Sequence, residues 1–172
     1  MLVERKSEIA YYIQGDFAYS IWLTPLGTLC GYLGVPPSHP WWGKWYGDID
    51  CEVHGGLTYS SWEDHGLRMK ILFDGKEELP IEYPRTIDDD FWSRFEYPKI
   101  DKPQPPYPHD TGLNLYWVGF DCAHIYDTVP GAPYKQEARA TYKNEEYVRN
   151  ELIRLASQAA EAYRRELPER SS

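Results

Sequence analysis

Two stretches of this chain gather the side chains that could do chemistry. The first is Asp48-Ile49-Asp50-Cys51-Glu52-Val53-His54-Gly55-Gly56, and the second is Asp121-Cys122-Ala123-His124 with Asp127 just beyond. Alternation in the first stretch predicts a strand with Asp48, Asp50, Glu52 and His54 on one face and Ile49, Cys51 and Val53 on the other. Same-face neighbours on a strand stand about 7 Å apart, so one ion could be shared only by donors from both stretches. A metal-hydrolase reading therefore takes His54, Asp121 and His124 as ligands, with Asp50 or Asp127 as a further ligand or a base. Mixed imidazole and carboxylate donors suit zinc, manganese or iron, and an open position would activate water against an ester, amide or phosphoester. The chain has neither HExxH nor paired CxxC motifs, so the donors would have to be assembled by the fold.

The same residues support other chemistry. A binding site for a small molecule, nucleotide-like in character, would use His54, Gly55, Gly56, Asp121 and His124 with Asp50 in support. Thr58 and Ser60 would extend its polar wall, and the rings between Trp41 and Tyr46 would form an aromatic wall. This is the favoured reading, with metal-dependent hydrolysis as the alternative. A metal-free enzyme would need Cys122 as nucleophile and His54 or His124 as base. A purely structural reading makes the two glycines a tight reversal whose His and Asp side chains satisfy backbone groups.

Composition narrows the partners. From Asp48 to Asp101 there are 14 acidic and 6 basic residues, so most of the formal net charge of −9 lies in the middle third. That balance argues against binding a phosphate backbone. It admits a third possibility, an acidic surface that mimics nucleic acid and occupies a basic groove on a host protein. Aromatic residues make up 16% of the chain, an excess that favours a pocket or an interface. Cys30, Cys51 and Cys122 stand far apart, which argues against a disulfide framework and for a reducing, cytoplasmic setting. No apolar run approaches the roughly 20 residues needed to span a bilayer.

The elements that must position these groups can be sketched. Phe17 to Leu23 and Leu29 to Val35 read as a hairpin joined through Thr24-Pro25-Leu26-Gly27, and Gly31 and Gly34 suggest a bulge or a close approach. Residues 35–47 carry three prolines, two glycines and four large rings, which predicts a loop folded over the core as its lid, or a ligand platform. Leu57 to Trp62 reads as another strand. Leu67–Phe73 suggests a short strand, 88–95 a short helix, and the proline-rich residues 97–108 an extended connection. Leu113 to Asp121 reads as a buried central strand. Residues 144–167 read as an amphipathic helix, capped by Asn144 and started by Glu145 and Glu146. Val148, Leu152, Leu155, Ala156 and Ala159 form its apolar stripe. The expected fold is one α+β domain over residues 1–172, a mainly antiparallel sheet with the C-terminal helix on one face.

Several of these stretches resemble a family of accessory proteins encoded by tailed bacteriophages and by prophages in their bacterial hosts. The resemblance rests on Gly31-Tyr32 followed by Pro36 and His39-Pro40, on Asp48-Ile49-Asp50, and on Val53-His54-Gly55-Gly56-Leu57-Thr58-Tyr59-Ser60. It continues in Trp117-Val118-Gly119-Phe120-Asp121-Cys122-Ala123-His124 and in Tyr147-Val148 with Glu151, Leu155-Ala156 and Gln158. It implies a protein acting inside a bacterial cell, where accessory products alter host defence or nucleotide pools. It implies no particular reaction.

Overall fold

The computed structural model of the chain describes residues 8–24, 26–62 and 115–166. The sequence patterns over Leu67–Phe73, 88–95 and 97–108 lie outside the described residues.

Strong alternation of large apolar side chains builds the sheet. Strands β1 (Glu8–Gln14), β2 (Phe17–Leu23), β3 (Leu29–Val35), β4 (Tyr59–Ser61) and β5 (Tyr116–Asp121) form one antiparallel sheet in the order β1-β2-β3-β5-β4. Because side chains alternate, one face collects Phe17, Tyr19, Ile21, Leu29, Leu33, Val118 and Phe120, while the other collects Ala18, Trp22, Tyr32 and Trp117. Both faces of β2 and β3 are buried along their whole length.

The helix α1 (Glu145–Glu166) covers the first face, contacting β3 and β2. Its N-terminus is fixed by Asn144, whose Oδ1 accepts the Tyr147 amide at 2.9 Å, a cap worth about 1 kcal/mol. Val148, Leu152, Leu155, Ala156 and Ala159 are all fully buried against the sheet. Gly31 permits the close approach: a Cβ there would stand 2.7 Å from the Phe120 ring and 3.0 Å from Val148 Cγ1. The fold is thus the expected single α+β domain. Among the described residues, no helix is long and apolar enough to cross a membrane.

Three details depart from the sequence reading. Glu8–Gln14, to which the sequence reading assigned no element, is an edge strand, joined to β2 across Gly15-Asp16 with Gln14 opposite Phe17. The segment expected to form a strand around Ile49 does not pair with the sheet. It consists of a single 3-10 turn, Tyr46–Asp48, followed by irregular chain to a turn at His54-Gly55. The burial alternation is real, since Ile49 and Val53 face the core, but helix side chains hold the segment in place of a neighbouring strand. The Gln158 amide donates to the Glu52 carbonyl at 2.7 Å and accepts the Glu52 N–H at 2.7 Å. Glu151 Oε1 accepts the His54 N–H at 2.9 Å. The strand expected from Leu57 begins only at Tyr59 and runs three residues.

The tryptophan-rich loop folds over the core in part, as expected of a lid. Trp41 is buried beside His39, whose ring stacks on Tyr163 of α1. Trp45 stays 60% exposed. Trp42 packs edge-to-face on Trp62 at 4.7 Å between centroids.

Candidate metal centre

The loop after β5 folds back on itself, and this is what assembles the polar site. The Asp127 amide donates to the His124 carbonyl at 2.9 Å, and the His124 amide donates to Asp127 Oδ2 at 2.9 Å. A three-residue spacing becomes a closed turn, with the imidazole and the carboxylate drawn to one side. The Asp121 carboxylate caps the start of the turn, accepting the Ala123 amide at 3.1 Å and the Thr58 hydroxyl at 3.1 Å.

His54 meets this turn from the irregular segment. Its Nε2 lies 2.8 Å from Asp127 Oδ2, and its Nδ1 lies 2.7 Å from the Tyr147 hydroxyl in the first turn of α1. Since a carboxylate only accepts, Nε2 carries a proton toward Asp127, while the Tyr147 hydroxyl can donate to Nδ1 or accept from it. Asp127 is buried, and its other oxygen lies 3.1 Å from Lys143 Nζ. That ammonium is held by the Thr141 hydroxyl at 2.6 Å and by the Thr141 and Tyr126 carbonyls. Burial pushes the Asp127 carboxyl up, but the hydrogen bonds from His54, the His124 amide and Lys143 outweigh it and hold the group below the usual carboxylate range. Burial raises the Tyr147 phenol, and the nearby Glu151 charge adds to the effect.

Donor atoms of His54, His124 and Asp127 all lie within 4.8 Å of one another. Zinc ligands about 2.0–2.1 Å from the ion stand about 3.4 Å from each other, so modest ring rotations would close the cluster. His124 Nε2 is buried without a hydrogen-bond partner, with Asp121 Oδ1 3.4 Å away. Gly55 makes room for this ring: at φ +67°, its missing Cβ would lie 2.0 Å from His124 Nε2.

The structure therefore brings together His54, Gly55, His124 and Asp127, with Asp121 beside His124. Gly56 is next in the chain, but the space where its Cβ would stand is empty, and its amide donates to the Val53 carbonyl. Asp50 goes elsewhere, exposed on a groove with Cys51, Glu52, Arg154 and Gln158. Ser60 Oγ accepts the Tyr46 amide at 2.9 Å. Cys122 is buried, and burial pushes its thiol well above the ordinary range, so it does not offer a ready thiolate. Tyr147 and Lys143 were missed by sequence reasoning, because a helix start and a loop lysine carry no spacing signal toward a distant histidine. Asp127 had a signal, the Asp-x-x-His-x-x-Asp run from Asp121.

No protein-family model, no curated protein and no solved structure matches this chain.

Proposed function

We propose that this protein is a metal-dependent hydrolase acting on a small molecule, with its ion held by His54 Nε2, His124 Nε2 and the Asp127 carboxylate. The observation that carries the reading is the cluster itself, two imidazoles and a buried carboxylate whose donor atoms span no more than 4.8 Å. Two imidazoles and one carboxylate suit zinc, manganese or iron and leave coordination positions open. An ion there would supply Lewis acidity and an activated water. The surrounding residues supply the rest. Lys143 neutralises Asp127 and pins its second oxygen, and Glu151 holds the His54 backbone. Asp121, one-third exposed and 3.4 Å from His124 Nε2, stands where a base could take a proton. The acidic balance of the chain disfavours polynucleotide substrates, which leaves small esters, amides or phosphoesters. The motif resemblance supports reading it as a phage accessory protein that acts within a bacterial cell.

Protein purified without chelator, or reconstituted with zinc, manganese or iron(II), should carry close to one ion per chain by elemental analysis. His54→Ala, His124→Ala and Asp127→Asn should each lose it while keeping the native circular dichroism spectrum. A folded wild-type protein that takes up none of the three ions overturns the proposal.

A further inference from the structure

We propose that the groove between α1 and the irregular segment is a second binding site, for a small zwitterion of the amino-acid class with a basic side chain. Asp50 takes an ammonium group of the ligand and Arg154 takes its carboxylate. The site is separate from the candidate metal centre and does not depend on it. The groove has a volume of about 380 Å³, within the range of small-molecule sites. Its walls come from different segments, Asp50 and Glu52 from the irregular chain and Arg154 and Arg165 from the outer face of α1.

The groove is built before any ligand arrives. Gln158 grips the Glu52 backbone through both its N–H and its carbonyl, each at 2.7 Å, which fixes the spacing of the walls and lowers the ordering cost of binding. Arg154 is held by Glu151, which accepts from Nε at 3.0 Å and from Nη2 at 2.9 Å. Those two bonds leave Nη1 for another acceptor, on a side chain still 49% exposed. A guanidinium already fixed in place meets a carboxylate with little further loss of freedom. Asp50 is exposed and, among the described residues, enters no hydrogen bond or ion pair. Cys51 lies within reach of both poles: burial and the Asp50 charge push its thiol up to about 11, and Arg154 pulls it back in part. It therefore offers the ligand a neutral surface between the two charges. Glu161, 3.5 Å from Arg165, also lines the groove, so three carboxylates face two guanidiniums. That excess of negative charge favours a zwitterion with an added positive group over a neutral or acidic one.

The test titrates the full 15N-labelled chain with L-lysine and with the dipeptide lysylglycine. Both should give saturable shifts at the amides of residues 50–52 and 154–162, with dissociation constants of about 1 mM or lower. Cadaverine keeps the two ammonium groups of lysine and lacks its carboxylate, so it should bind about tenfold more weakly. Arg154→Gln should weaken L-lysine by a similar factor, but it also frees Glu151. Asp50→Asn is therefore the decisive variant: it should bind L-lysine about tenfold more weakly with its unfolding midpoint unchanged. The proposal is wrong if neither probe shifts these amides at about 10 mM, if cadaverine binds as tightly as L-lysine, or if Asp50→Asn binds L-lysine within twofold of wild type. None of these results bears on zinc uptake at His54, His124 and Asp127, so the metal reading stands or falls on its own test.

Discussion

At the scale of single residues, the paired glycines do different work. Both have positive φ, +67° at Gly55 and +78° at Gly56, so a side chain at either position costs about 1–2 kcal/mol of backbone strain. Only at Gly55 would the new Cβ strike a neighbour, and that neighbour is His124 Nε2 at 2.0 Å. Gly56→Ala is expected to lose about 1 kcal/mol of stability and to retain metal binding. Gly55→Ala is expected to lose at least as much and also to displace His124, abolishing metal uptake. Chemical denaturation and metal analysis on the pair separate strain from displacement; equal metal content in the two variants would show that His124 does not need the space Gly55 leaves. Sequence marked this dipeptide as a reversal, and only three-dimensional packing shows that one member is bare for the sake of a histidine some seventy positions away.

At the scale of elements, the sequence was most readable where one local pattern decided the outcome. The β2–β3 hairpin and the capped α1 each carry their periodicity within the segment, and the structure has them where the spacing put them. The edge strand β1 carried a legible sign that went unread: Gly-Asp between two runs with aromatic and β-branched residues is a two-residue hairpin signal. The segment through Asp50 misled for a physical reason. Alternating burial arises wherever an extended chain lies along a core, and the backbone of this one is satisfied by Gln158 and Glu151 of a helix about a hundred residues on. No local pattern could report that partner. A second loop-to-helix tie yields a test. His39 Nδ1 accepts the Trp41 amide at 3.0 Å, so Nε2 bears the proton donated to the Ala159 carbonyl at 2.7 Å. Burial lowers its pKa to about 4. When the chain unfolds the ring regains its ordinary affinity, near 6.5, so it takes a proton more readily unfolded than folded. Its contribution is complete above pH 6.5 and declines as pH falls toward about 4. Between pH 7 and 4.5, wild-type protein should lose on the order of 2 kcal/mol more stability than His39→Gln. Urea denaturation at both pH values measures this, and parallel losses would show that the ring is not held neutral by the fold.

At the scale of the whole molecule, the candidate centre ties together chain segments that secondary structure leaves separate. His54 belongs to the irregular segment, His124 and Asp127 to the loop after β5, and Tyr147 and Lys143 to the start of α1 or just before it. Sequence reasoning could name His54 and His124 as chemical residues, but their convergence depends on α1 crossing the sheet and on the 121–127 turn closing. An ion held by donors from two distant segments binds the folded chain far better than the unfolded one, so mass action must raise stability, by about 2.7 kcal/mol at a hundredfold excess over Kd. For a chain of this length each kcal/mol moves the midpoint by about 2–4 °C, so saturating zinc should raise the thermal midpoint of wild-type protein by roughly 5–10 °C. The same addition should leave His124→Ala and Asp127→Asn unmoved, since each lacks one donor of the cluster. Asp50→Asn should respond as wild type does, because Asp50 lies on the separate groove beside Arg154 and Gln158. Calorimetry of the four proteins with and without zinc checks the pattern, and a shift of equal size in all four would place the ion somewhere other than His54, His124 and Asp127.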